Sequence, residues 1–600
     1  MTRALLNERD LRFQLYEVLD TQSLLQRPRY AEHDRAVLDA TLETARQLAS
    51  DYFAPHNRKG DEHEPTFDGE RVQLIQETQQ AWDAFAEAGF LAAHHDYADG
   101  GLQLPEVVLR ACMAYFNAAN IATLGYSFLS IGATNLVKSF ASDALKARYL
   151  PAMLTGRFSG TMALTEPGQG SALGDLRTSA RPAGDGTYRV FGQKMFISGG
   201  DHELTENIVH MVLARIEGAP AGTRGISLFL VPKRLVNDDG SCGERNDVAL
   251  AGLLHKMGYR NTTSTVLNFG ERDGAVGYLI GEAHQGLGYM FQMMNEARVG
   301  VGLGAAALGY QSFVHALDYA RQRPQGRLPA SKDPSSPQVS IIEHADVRRM
   351  LLQQKVYAEG SLSLCLYASS LVEDSHTAPS PQQRRDAAEL LDLLTPVVKS
   401  YPSRYGLIAS DLGIQVLGGA GYTREYPLEQ LYRDNRLNPI HEGTEGIQAI
   451  DLLGRKLGPR GGDGYRLFLA EVRRCLLQAV DSSQCAGLAA ELGDALDLLE
   501  RVTHALRDQI GADATRGLAN ASVYLDLFGR VVVGWTWLRQ ALVASTALAE
   551  GAAGDEAAFY LGKLHAAQYF MAWELAPLGG MARLLMAGDS LALDMQDAWF

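Results

Sequence analysis

Residues 415–448 read QVLGGAGYTREYPLEQLYRDNRLNPIHEGTEGIQ. Gly418, Gly419, Ala420 and Gly421 interrupt a pattern that is otherwise helical. Glycine at such a break lets the backbone take positive φ or approach a ligand closely, because there is no Cβ to collide. Glu442 then stands on a loop directly before Gly443 and Thr444. A carboxylate presented on a sharp turn at the head of a helix is a candidate general base. The same acid could simply complement the positive end of the helix dipole, so the stretch needs independent support.

Upstream of it the chain is helical from about Gly286. Residues 287–321, 341–372 and 387–417 are amphipathic or nearly apolar, as expected of a buried bundle. A Pro- and Ser-rich loop, residues 325–340, divides the first two. Gly302, Gly304 and Ala307 imitate a dinucleotide-binding G-x-G-x-x-A, but they lie inside a helical pattern instead of between strand and helix, so close helix packing is the expectation. Residues 299–317 carry no formal charge, yet their glycines, Gln311, Ser312 and His315 suit a buried helix better than a membrane span.

Between Gly160 and Gly281 the period changes. Residues 187–190, 208–214, 226–231 and 264–269 are short runs rich in Val, Ile and Phe, with a hairpin turn at Gly184, Asp185 and Gly186. Before them, apolar residues recur at helical spacing, as in Val37, Leu38, Leu42, Ala45 and Leu48, and residues 57–68 read as a surface loop. After a linker at 458–464, four candidate helices, 466–479, 490–509, 522–548 and 557–575, carry no motif for chemistry and point to packing or subunit contact. The expected fold is therefore α+β: an N-terminal all-α domain (1–160), a β domain (161–281), a helical bundle (282–457) and an extra C-terminal helical domain (465–600).

Composition excludes some functions. A net charge of −15 leaves no broad basic surface for nucleic acid or an anionic membrane, so an anionic ligand must be held by a few local arginines. The five cysteines are scattered, odd in number and without a metal-like pair, which reads as buried thiols in a reducing compartment. The first twenty residues mix acids and bases with no apolar core, so neither a signal nor a transit peptide is expected, and the location implied is cytoplasmic.

Three further stretches carry the independent support: TMALTEPGQGSALGDLRT at 161–178, KMFISGG at 194–200 and FQMMNEARVGVG at 291–302. With 415–448, in this order and spacing, they resemble the acyl-CoA dehydrogenase family of flavoproteins from about Leu38 to Lys456. The whole chain looks most like the longer branch of that family, which includes fatty acyl-CoA and 3-methylmercaptopropionyl-CoA dehydrogenases. The resemblance implies FAD, with Met162, Leu164, Thr165, Gly170 and Ser171 at the isoalloxazine and, for Ser171, the substrate. Phe196 would cover the ring and Ser198 would face N5. Met162 stands where many members have an aromatic.

The same resemblance assigns Asn295 and Arg298 to the nucleotide part of an acyl-CoA, where a guanidinium suits phosphate. Arg323 would meet the FAD pyrophosphate across a subunit interface, although the usual R-x-x-F-G is shortened here to R-P-Q-G. Gln415 and Gly419 would hold the adenosine half from a neighbouring subunit, and Thr444 would reach the flavin phosphates. A glutamine common in relatives is replaced by Gly446. Some relatives carry their base at the position of Ala297, so the role falls to Glu442 and not to Glu296.

The implied reaction is the first step of β-oxidation. Glu442 takes a proton from the α-carbon of the thioester, hydride passes from the β-carbon to flavin N5, and trans-2-enoyl-CoA results. The Glu442 amide and a flavin ribityl hydroxyl would grip the carbonyl oxygen as charge develops, and a dry site would raise the Glu442 pKa. An electron-transfer flavoprotein would take the electrons, and the extra domain would favour a homodimer. Alternatives are a methylmercaptopropionyl substrate, whose thioether mimics a methylene, an acyl-CoA oxidase of the same fold, and a helical scaffold without flavin.

Overall fold

The computed structural model describes residues 4–331, 333–457 and 462–600. Part of the linker expected at 458–464, residues 458–461, lies outside the described residues. The principal N-terminal helices are α1 (Arg35–Leu48), α2 (Gln76–Glu87), α3 (Glu106–Phe140) and α4 (Asp143–Leu154). Asp34 and Ser142 cap α1 and α4 with side-chain oxygens that accept from Val37 N and Leu145 N. The region is not wholly helical, as a short hairpin joins Thr66–Phe67 to Val72–Gln73. Residues 57–68 are not simply a loop either. Asn57–Glu62 is helical, and Asp61 is buried because Arg433 reaches it with two bonds of 2.7 and 2.6 Å.

One eight-stranded sheet follows, built from β1 (Phe158–Ala163), β2 (Ser179–Pro182), β3 (Tyr188–Ser198), β4 (Asn207–Ile216), β5 (Ile226–Pro232), β6 (Val248–Leu253), β7 (Ser264–Phe269) and β8 (Ala275–Ile280). The order is β6-β7-β3-β8-β5-β4-β1, with β2 pairing β3 and β4. β1 and β2 run parallel to β4, and the other pairs are antiparallel. Sequence patterning does not reveal β1, β2, β6 and β8. β1 is buried along its whole length, so it shows no alternation.

The bundle consists of α5 (Gly286–Gln322), α6 (Ala345–Thr377), α7 (Pro381–Leu417), α8 (Leu428–Asn435) and the short α9 (Glu445–Ile450). α5 and α7 cross at glycines: a methyl on Gly302 would run into the Val398 carbonyl, and one on Gly406 into the Ala305 carbonyl. The false dinucleotide motif is thus a close helix crossing. Among the described residues, one helix is apolar and long enough to cross a membrane, α3, and its apolar stretch is buried within the protein.

The last block, α10 (Asp463–Ala479), α11 (Ala486–Ala512), α12 (Ala521–Ala549) and α13 (Gly554–Tyr569), packs on the chain's own bundle. Trp537 Nε1 donates to the Val356 carbonyl of α6 at 3.2 Å, and Tyr357 donates to Glu574 at 2.9 Å. Buried Lys563 of α13 pairs with Glu359 of α6 at 2.7 Å and with Asp10 near the start of the chain.

Candidate functional site

The 164–171 loop leaves β1 and returns across the face of β3. Glu166 and Lys194, both buried, form an ion pair of 2.9 Å, and Lys194 also donates to the Leu164 carbonyl at 2.9 Å. Glu166 accepts further bonds from Arg177 N (2.6 Å), Thr178 N (3.0 Å) and Thr178 Oγ1 (2.5 Å). Burial pushes the Glu166 carboxyl up, but the ammonium and these donors outweigh it and hold the carboxyl low. Lys194 is pulled down to about 8 by burial, against the pull of Glu166. Both residues fall within the motifs quoted above, but their anchoring part depends on a contact between separate strands that sequence alone does not show.

Met195 N donates to the Thr165 carbonyl at 2.9 Å, tying the loop to β3 where that strand is irregular. Across from β7, the register shifts so that Ile197 faces Thr265 while Lys194 faces Leu267. This is a β-bulge, and bulges re-aim side chains. Phe196, at φ 59°, is 62% exposed, although aromatic residues in a strand normally gain by burial. Ser198, Gly170 and Ser171 are also exposed, Leu164 and Thr165 are half-buried, and Met162 is buried at the base. An uncovered ring beside hydroxyls and free space over Gly170 suits a planar, polar-edged group such as a flavin.

A second group forms where α5, α7 and the 438–444 turn meet. Asn438 Nδ2 donates to Asn435 Oδ1 (2.9 Å), so Asn438 Oδ1 is the acceptor for both Tyr259 OH (2.9 Å) and His441 Nε2 (3.1 Å). The last bond makes His441 the Nε2–H tautomer. Burial, with Lys399 adding to it, drops its pKa to about 3, so it stays neutral. Glu442 follows with φ 54°, and Gly443 with φ 93°. Gln448 Nε2 donates to the Glu442 carbonyl at 3.1 Å and occupies the place a Gly443 side chain would need.

The Glu442 carboxylate is half-buried, and desolvation raises its pKa, with Arg298 and then Lys399 pulling it back. Arg298 is 3% exposed; it donates to Asn295 Oδ1 at 3.2 Å and lies 3.6 Å from Asp451 Oδ2. The structure thus gives Arg298 a buried pairing with Asn295 and Asp451 and an electrostatic effect on Glu442. Lys399 of α7, which no sequence motif marks, is fully buried, and its Nζ has no hydrogen-bond partner among the described residues. Burial lowers its pKa to about 8. Glu296 faces away from this group and accepts from Asn135 Nδ2 at 2.8 Å.

The third group stands at the far end of the bundle. Arg323, Gln415 and Gly419 are all exposed, on helix ends brought together by the Tyr319–Tyr426 contact at 5.6 Å and the apolar cluster around Val416, Leu417 and Leu428. Thr444 is exposed too, and its side chain caps α9 by accepting from Ile447 N at 3.4 Å. A narrow apolar cavity of ≈ 30 Å³ lies between α3 and α5, reaching from Met162 of β1 to Met293, Ala297 and Gly300 of α5. Among the described residues no cluster of side chains could hold a metal ion.

Fold and site together define a flavin-dependent oxidoreductase built on a β domain between helical domains. Models of the acyl-CoA dehydrogenase N-terminal, middle and C-terminal domains match residues 37–157, 161–271 and 284–457, and an "Acetyl-CoA dehydrogenase C-terminal like" model matches 468–596. The chain belongs to the acyl-CoA dehydrogenase family. It is 37% identical to the 3-methylmercaptopropionyl-CoA dehydrogenase of Ruegeria pomeroyi over 94% of each chain. It is 34% identical to the broad-specificity linear acyl-CoA dehydrogenase FadE5 of Mycobacterium tuberculosis over 99% of each. An acyl-CoA dehydrogenase from Bacillus anthracis, solved in complex with FAD, shares the fold with a TM-score of 0.75 at 20% identity, covering 96% of this chain and 91% of that one.

Proposed function

We propose that this acyl-CoA dehydrogenase oxidises a straight-chain fatty acyl-CoA to the trans-2-enoyl-CoA, with Glu442 as the base. The observation that carries the assignment is Glu442 itself: a carboxylate on a left-handed turn, partly desolvated, with two buried cations near enough to bias its charge. A raised pKa makes a carboxylate a stronger base once ionised. FAD is the cofactor, and when bound it supplies the acceptor for the β-hydrogen as hydride. The chain's own part is to hold the thioester in a water-poor slot, to offer the Glu442 amide to the carbonyl oxygen, and to receive the α-proton on the Glu442 carboxylate.

Met162, Leu164, Thr165, Gly170, Ser171, Phe196 and Ser198 would hold the isoalloxazine, with Ser171 also meeting the substrate. Arg323, Gln415, Gly419 and Thr444 would hold the rest of FAD, part of it from a second subunit. Asn295 and Arg298 would serve the acyl-CoA. The domains divide as 1–160, 161–281, 282–457 and 465–600, the protein acts as a cytoplasmic homodimer, and an electron-transfer flavoprotein reoxidises it. The Ruegeria pomeroyi relative supports a second reading, a 3-methylmercaptopropionyl-CoA substrate.

Anaerobic bleaching of the flavin by acyl-CoA tests the base. Glu442→Gln is expected to retain FAD and bind acyl-CoA, yet to reduce flavin at least about a thousandfold more slowly. A near-normal rate would remove Glu442 from this role.

A further inference from the structure

The turn that carries Glu442 runs straight into α9, a helix of six residues. So short a helix does not hold itself in place, and much of what fixes it comes from the C-terminal block. α9 packs on α12, and Ala449, Leu452 and Leu453 share an apolar core with Leu525 and Phe528 of that helix. Farther along, Arg507 of α11 donates through Nε to the Leu457 carbonyl at 2.7 Å, and a methyl placed on Gly454 would come within 3.4 Å of Leu518.

A chain of polar contacts runs beside this packing. Asp526 of α12, whose side chain is 9% exposed, accepts from the Tyr405 hydroxyl at 2.5 Å and lies 3.5 Å from Arg530 and 3.7 Å from Arg404 of α7. Arg404 Nη1 donates to Oε1 of Glu445, the first residue of α9, at 3.0 Å. Arg404 thus bridges a carboxylate of the C-terminal block and one of α9. One turn on from Glu445, Gln448 Nε2 holds the Glu442 carbonyl.

We propose, on the reading above that Glu442 is the base, that the C-terminal block positions it: through Asp526, Arg404 and Glu445 the block clamps α9 and sets where the Glu442 carboxylate stands against the α-carbon. Arg404, Glu445 and Asp526 are then positioning residues that act through α9. Geometry at the reacting atoms matters steeply, and a shift of about 1 Å caused from a distance can cost about a hundredfold in rate. The Arg404 and Glu445 side chains are 42% and 32% exposed, so their pairing adds little to stability, and its loss is expected in the rate before it is seen in Tm. Glu445 also acts by charge on Lys399, which in turn biases Glu442. Position and charge are separated by the choice of substitution.

The test is anaerobic flavin reduction in stopped flow, with whichever of butyryl-, octanoyl-, palmitoyl- and 3-methylmercaptopropionyl-CoA bleaches the wild-type protein fastest. Arg404→Met and Glu445→Ala are expected to lower the limiting rate about tenfold or more, with the acyl-CoA Kd within about twofold of wild type and FAD content and Tm unchanged. Glu445→Gln removes the charge but keeps an acceptor for Arg404, and is expected to stay close to the wild-type rate. The Arg404→Met, Glu445→Ala double variant should be no slower than the slower single variant, since both cut the same link. Wild-type rates in both single variants would overturn the clamp while leaving the dehydrogenase reading intact. So would an equal loss in Glu445→Ala and Glu445→Gln, which makes the effect one of charge, or a loss of rate that tracks loss of FAD or a fall in Tm, which makes it one of folding. A near-normal rate in Glu442→Gln, or bleaching by none of the thioesters, would overturn the reading and the clamp together.

Discussion

Glu442 and Phe196 share an unusual trait: each is a non-glycine residue at positive φ, 54° and 59°. Such conformations cost of order 1–3 kcal/mol and persist only where surrounding structure enforces them. Around Glu442 the enforcement comes from Gln448 on its carbonyl and from the Asn438 cluster before it; around Phe196 it comes from the bulge and the Met195 tether. Ionisation of Glu442 should govern flavin reduction. Because burial raises its pKa, the rate is expected to climb with pH through a range above that of an ordinary glutamate. Lys399 and Arg298 hold that pKa down, so Lys399→Met should displace the acid limb to higher pH. Stopped-flow reduction across a pH series would reveal it, and an unmoved limb would separate Lys399 from the base. Glu442 is legible in the sequence because glycines and a turn announce it locally. Lys399 is not, since a lysine in a helix shows its burial only when three elements close around it.

At the scale of elements, two devices shape the site. The Lys194–Glu166 pair fastens the 164–171 loop to β3, and Lys194→Met would leave a buried carboxylate without its cation, at a cost of about 3–5 kcal/mol. The expected outcome is a lower Tm and loss of FAD on gel filtration. The Glu166 carboxyl sits below its usual pKa, so its contribution is present above the unfolded value and lost as pH falls through the folded one. The second device is the α5–α7 crossing. Gly302→Ala forces a methyl against the Val398 carbonyl and should destabilise by about 1–3 kcal/mol in urea titrations. The long helices are readable from their period, and observed ends such as Gly286–Gln322 fall close to the 287–321 expected. The sheet is harder. Only strands with dense β-branched runs stand out, while β1, β2, β6 and β8 are set by pairing between distant segments.

For the molecule as a whole, the C-terminal block carries no chemical signal in its sequence, yet it is joined to the N-terminal segment by buried polar contacts. Gln14 donates to Gln540 at 2.7 Å and Lys563 sits between Asp10 and Glu359, while Tyr310 of α5 also donates to Asp10 at 2.9 Å. Lys563→Met would leave interior Asp10 without a counter-charge and Glu359 with Lys355 alone, and a loss of about 3–5 kcal/mol is expected. Hydrogen exchange should then quicken at residues 8–18 and along α13 together. Exchange that quickens in α13 alone would mean the two segments are held independently.

Asp10 also bears on how the protein is made. A ribosome reaches Lys563 only 553 residues after it has placed Asp10, so through most of synthesis the acid lacks this counter-charge. A domain that matures as it emerges here receives the partner of one buried acid last, and a message broken ahead of Lys563 would yield a chain in which Asp10 keeps Tyr310 as a donor but never meets its ammonium.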